Sequence, residues 1–149
     1  MKTVLGTQFE TSLRLLVLLL AVHERSLTEG EIVAIDYIAS YASDFGISTY
    51  NLHGNSQYRF NELTARRELI KQGLKRMVMD GFVDISQTIH GFFYSISSEG
   101  LSYVVNLDNA YANDYYDIVT KVTDVMREKT EDVLFRIINQ RIIKSVQKG

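Results

Sequence analysis

Six of the sixteen basic residues, Arg59, Arg66, Arg67, Lys71, Lys75 and Arg76, fall within one short stretch of the chain. Arg67, Lys71 and Lys75 recur every fourth residue, which on a helix places them in one line. Such a line can meet phosphates and base edges, or an acidic protein surface. It also has the make-up of a solvated helix face, with Glu62 and Glu68 close by to neutralise part of it. Residue types alone leave both readings open.

Groups that could catalyse are present, but not in patterns that catalysis needs. Glu29 and Glu31 suit a helix cap, Asp36 stands among Ile35, Tyr37 and Ile38, and Asp114, Asp117 and Asp124 have surface helical spacing. No serine sits in a nucleophile-elbow glycine pattern, and neither a phosphate loop nor a dinucleotide fingerprint occurs. His23, His53 and His90 lie far apart, and the absence of cysteine excludes disulfides and thiolate zinc sites. The expectation is a cytoplasmic protein that is not an enzyme, with no cofactor and no metal. Its formal charge of −2 supplies no overall field toward nucleic acid or anionic membrane, so such binding would need a local patch.

The elements that would position the basic line follow from length and periodicity. At 149 residues and 46% hydrophobic, the chain suits one domain with a real core and a helical extension. The apolar run Leu15–Val22 is far shorter than the roughly 20 residues a membrane helix needs. His23-Glu24-Arg25 follows it, where a secretory peptide would carry small residues, so a buried helix is expected over about 8–22. Thr28-Glu29-Gly30-Glu31 has the form of a capping box. It introduces a second helix with Ile32, Ile35, Ile38, Ala39 and Ala42 at helical spacing. Residues 43–60 mix turn formers with aromatics and read as a long loop. A third helix is predicted over 61–80, ended by Gly81. Two strand-like runs, 82–87 and 92–97, flank Thr88-Ile89-His90-Gly91 as a tight hairpin, and a further helix opens at Ser98-Glu99-Gly100.

This order is mainly α with a small β-hairpin, and three helices running into a hairpin is the winged-helix order. The reading is a winged-helix-type domain over 1–107, with loop 43–60 inserted and the wing at 82–97, and a C-terminal helical extension over 108–149. In that extension Arg127–Asp132 is wholly polar and Thr130-Glu131-Asp132 resembles a helix start, so two helices, 110–127 and 131–145, are expected. The wing carries no lysine or arginine in its turn, which argues against ordinary duplex contact. Ile89 at its tip, beside His90, suits protein contact better. Tyr103, Tyr111, Tyr115 and Tyr116 either seal the helices onto the core or serve an interface. The apolar stripe containing Ile137, Ile138, Ile142 and Ile143 must pack on the core, a second copy or a partner. The interface candidates are therefore Ile89, His90, Tyr115, Tyr116, Ile137, Ile138 and Ile142.

Three phrases together resemble a known family: Leu13-Arg14-Leu15-Leu16, Ile35-Asp36-Tyr37-Ile38 followed by Asp44-Phe45-Gly46, and Tyr58 to Leu74. The most specific part is Arg66-Arg67-Glu68-Leu69-Ile70 with Gly73 and Gly81-Phe82-Val83. The chain resembles, over about residues 10–130, the small middle component of ABC-three-component systems, the group that includes Lamassu-type bacterial defence. The proline-rich character associated with the family's loop is missing, since the chain has no proline. The resemblance implies an adaptor bound to an SMC- or Rad50-like ABC ATPase and an effector such as a nuclease, acting against phage or plasmids. DNA within that complex and a homodimer are further expectations. The alternative is a winged-helix DNA-binding transcriptional regulator.

Overall fold

A computed structural model describes residues 8–52 and 59–148. The first helix, α1 (Gln8–Ala21), is buried from Leu13 to Leu19 on nearly every side, as its unbroken apolar run requires. It occupies the centre of the molecule, against α2 (Glu29–Ser40), α3 (Arg59–Met79), α4 (Ser98–Val105) and α5 (Ala110–Val125). The last helix, α6 (Glu131–Lys148), lies on α2. The hairpin strands β1 (Val83–Thr88) and β2 (Gly91–Ile96) pair antiparallel, with Val83 opposite Ile96 and Thr88 opposite Gly91. Mainly helical with one two-stranded hairpin, the described chain matches the class expected from sequence.

The boundaries have local causes. At the start of α2, the Glu31 N–H donates to Thr28 Oγ1 at 3.1 Å, and the Thr28 N–H donates to Glu31 Oε1 at 3.0 Å. That is the predicted capping box. The same Thr28 hydroxyl donates to Glu131 Oε1 at 2.7 Å, which ties the first turn of α6 to that of α2. Gly30 makes this approach possible: a Cβ there would lie 2.2 Å from the Glu131 carboxyl carbon.

Helix α3 ends in a Schellman turn, with Phe82 N–H donating to Met77 O and Gly81 N–H to Val78 O. Gly81 has φ +83°, a conformation that side chains bearing a Cβ adopt only under strain. Ser97 then links hairpin to helix. Its hydroxyl donates to Gly81 O at 2.7 Å and accepts the Gly100 N–H at 3.0 Å, capping α4. Asn109 caps α5 in the same way through the Ala112 N–H.

Several expectations need correction. Ala42 is not part of α2; it opens a 3-10 turn over Ala42–Phe45 that is closed by Gly46 in the left-handed region. The start of loop 43–60 is thus held by defined contacts. Its Asn51 side chain accepts the Ser43 N–H at 2.8 Å and donates to Asp44 at 3.1 Å, while residues 53–58 lie outside the described residues. A strand-like contact not expected from sequence joins Leu27 to Tyr94 through two backbone hydrogen bonds of 2.9 and 2.7 Å. The C-terminal segment divides as expected, at Met126–Thr130. Its helices nevertheless share one core with α1 and α2: Ile118, Val119, Val122, Leu134, Ile138 and Ile142 are all buried in it. Residues 107–109, in neither helix nor strand, carry the chain from α4 to α5. No described helix is long and apolar enough to cross a membrane.

Candidate functional site

On α3 the buried positions are Leu63, Arg66, Ile70, Gly73, Leu74 and Met77, a stripe at three- and four-residue spacing. The opposite side exposes Arg67, Glu68, Lys71, Gln72, Lys75, Arg76 and Met79. Lys71 and Lys75 make no ion pair among the described residues. Arg76 pairs with Asp80 at 3.3 Å, where both side chains are well exposed and the pair is weak. Arg67 is partly occupied: its guanidinium carbon stands 4.4 Å from the Phe135 ring centre, a cation–π contact between α3 and α6. The side chain of Arg59 lies outside the described residues.

Arg66 corrects the expectation. It is 5% exposed and cannot join the outward line. Standing three residues after Leu63 and four before Ile70, it falls on the core side of α3. There Nη1 donates to Asp36 Oδ2 at 2.8 Å and to Ser40 at 2.9 Å, while Nη2 reaches Glu62 at 3.2 Å.

Asp36 is the node of a buried network. Its other oxygen accepts from Arg14 Nε at 2.9 Å and from the Tyr115 hydroxyl. Arg14 also pairs with Glu10 at 3.0 Å, and Glu10 accepts from Tyr111 at 3.1 Å. Four helices, α1, α2, α3 and α5, thus meet at one carboxylate. Burial works against the Arg14 and Arg66 charges, but Asp36 outweighs it, and both pKa values lie above the ordinary arginine value. Burial first, then the facing Asp36, pushes the Tyr115 phenol well above its ordinary 10.0.

Among the other interface candidates, Tyr115, Ile138 and Ile142 are buried and so are not available to a partner in this fold. Their apolar surface found its cover on α1 and α2 of the same chain. Ile137 is half-buried, and Tyr116 and Ile143 are exposed. Ile89 and His90 form the hairpin turn, and Ile89 is 96% exposed. Register places Ile85 and Phe92 on the hairpin face of Val83 and Ile96. Val83 enters the core, whereas Ile85 and Phe92 continue as an exposed apolar stripe toward the tip. Sequence reasoning named the tip and missed these two, although period-2 alternation from Val83 points to Ile85.

A second feature missed from sequence is a groove of about 320 Å³ between the first turns of α1, the end of α3 and α4. Phe9, Leu13, Leu16, Met77, Phe82 and Tyr103 line it, with Arg76 and Asp80 at its rim. Phe82 and Tyr103 pack ring against ring at 5.4 Å. Its walls come from three helices and the turn that follows α3, so no local pattern announces it. Among the described residues no group of three or more His, Cys, Asp or Glu is placed to hold a metal.

The arrangement is that of a helical protein with a charged node locked inside and a cationic strip, an apolar groove and an apolar hairpin tip outside. Residues 4–148 match the family described as ABC-three component (ABC-3C) system Middle Component 2, and the chain belongs to that family. No curated protein and no solved structure matches it.

Proposed function

We propose that the chain is a non-catalytic adaptor of an ABC-three-component defence system, linking an SMC- or Rad50-like ABC ATPase to an effector such as a nuclease. The observation that carries this reading is the match of nearly the whole chain to a middle-component family, since a component acts within an assembly. The exposed features support it. Ile89, Ile85 and Phe92 on the hairpin and Lys71, Lys75 and Arg76 on α3 offer two separate surfaces of different chemistry. Large apolar side chains left in water are characteristic of sites that meet another macromolecule. A Lamassu-type system in the cytoplasm, acting on phage or plasmids, is the setting this reading implies.

The winged-helix reading of residues 1–107 rests on the order of helices and hairpin, together with the Leu27–Tyr94 pairing that adds a short third strand position beside β2. Co-expression with the products of adjacent genes tests the adaptor reading. The expected result is a stable complex that survives size-exclusion chromatography at micromolar concentration. A chain that elutes alone contradicts it.

A DNA-binding regulator is the second reading, favoured by the outward position of Lys71, Lys75 and Arg76. Two or three phosphate contacts predict a log–log salt slope of about −1.8 to −2.7 on duplex DNA. Arg66 adds nothing to that slope because it is buried. A hairpin turn without a cation adds nothing either.

A further inference from the structure

We infer that the groove between α1, α3 and α4, together with the cationic strip beside it, seats an acidic amphipathic segment of a partner protein. The inference rests on the adaptor reading and specifies which surface of the chain does the binding and what it binds. The groove is walled by Leu13, Leu16, Met77 and Phe82, with Phe9 at 60% exposure and Tyr103 standing open at its mouth. A second depression, of about 450 Å³, adjoins it and is lined by Lys71, Gln72, Lys75, Arg76 and Met79, with Glu68 on its edge. Gln8 and Arg76 belong to both, so apolar and cationic surfaces are continuous.

A partner that covers such a surface needs apolar side chains for the groove and carboxylates a turn away for Lys71 and Lys75. An amphipathic helix with acidic residues beside its apolar stripe has that pattern. Duplex DNA does not. Its phosphates repeat without interruption and would meet Glu68 and Asp80 as well as the cations, and it has no large apolar group to fill an apolar groove. A helix can space its carboxylates to miss both acids. Arg76, now shared with Asp80 at 3.3 Å, would exchange that exposed contact for the incoming carboxylate.

The test uses the full chain, co-expressed with the proteins encoded beside it. The photo-reactive amino acid p-benzoylphenylalanine is placed at position 9 or 103, the complex is irradiated, and linked peptides are identified by mass spectrometry. The expected result is a covalent link to one partner segment in which apolar residues recur at three- and four-residue spacing with Asp or Glu beside them. Lys75→Glu with Arg76→Glu should lower the yield of that link at least about tenfold, the scale of a single lost charge-assisted contact, of which it removes two. Four results overturn the inference while leaving the adaptor reading intact: an assembled complex with no link, a link to a basic segment, a link only to residues 1–7 of the same chain, or a link only to added duplex DNA. Failure of the unmodified chain to assemble removes the adaptor reading itself, and this inference with it.

Discussion

Arg66 and Lys71 stand on the same helix, little more than a turn apart, and do opposite work. Arg66 points into the core, where an unpaired charge is untenable, so its environment supplies Asp36, Ser40 and Glu62. Lys71 points to water, where a charge costs little, and the fold supplies it with no ion-pair partner among the described residues. The difference teaches that cationic residues on α3 cannot be pooled by type. Those on the core side hold helices in register, and those on the water side are available to something else.

The comparison can be broken by mutation, beginning at the node. Asp36→Ala leaves Arg14 and Arg66 both without their shared acceptor, and should cost about 3–5 kcal/mol in urea unfolding, the range for one partner lost from a buried pair. Replacing all three by apolar residues of similar size should recover much of that loss, since a well-packed apolar core replaces such a cluster with little penalty. Full loss in the triple variant would show that the node also sets packing.

The same node predicts a pH dependence at the alkaline end. Tyr115 has a folded-state pKa raised above its unfolded value of 10.0, by burial and by Asp36. Its contribution is therefore complete below pH 10 and is lost as pH rises beyond it, because the unfolded chain releases the proton first. The slope is about 1.4 kcal/mol per pH unit for this one group. Tyr41 and Tyr111, also raised by burial, steepen it. Thermal unfolding followed from pH 8 to pH 11 should show the fall, and Tyr115→Phe should make it shallower.

Smaller effects lie on the outer face. Arg67→Ala removes the contact with Phe135 and should cost about 0.5–1 kcal/mol, the range of a partly exposed cation–π pair. Lys71→Glu with Lys75→Glu should change stability by less than about 0.5 kcal/mol, as surface substitutions away from packed features do. A large loss of stability in that variant would mean that the strip is structural.

Much of the fold was legible because its causes are local. The capping box at Thr28, the glycine stop at Gly81 and the polar break before Glu131 each act through backbone groups within a turn, so a short phrase reveals them. The node was not recognised, although its parts were in view. In the sequence Asp36 is an acid among apolar neighbours, and charge alone groups Arg66 with the surface cations. Its phase relative to Leu63 and Ile70 would have placed it inside. Two charges within apolar stripes of different helices have to find each other, and that is the signal that was available.

The phrases that carry the family resemblance, around Leu13–Leu16, Ile35–Ile38 and Arg66–Ile70, contain the three node residues Arg14, Asp36 and Arg66. In this chain they account for helix packing, and so they say little about the binding surface. Tyr115 is in phase with Ala112, Ile118 and Val119 on the buried stripe of α5; what no local pattern reveals is that it meets Asp36 of α2. The groove and the Leu27–Tyr94 pairing were equally hidden, since both join elements distant in the chain.

The most direct test compares the unsubstituted chain with one variant in a pull-down from cells co-expressing the neighbouring proteins. The unsubstituted chain serves as reference, against Lys71→Glu with Lys75→Glu shown by circular dichroism to be folded. The expected result is that the reference chain brings down its partners and that the folded charge variant loses the one seated on the strip. Equal recovery by both, with only duplex DNA binding lost, would contradict it.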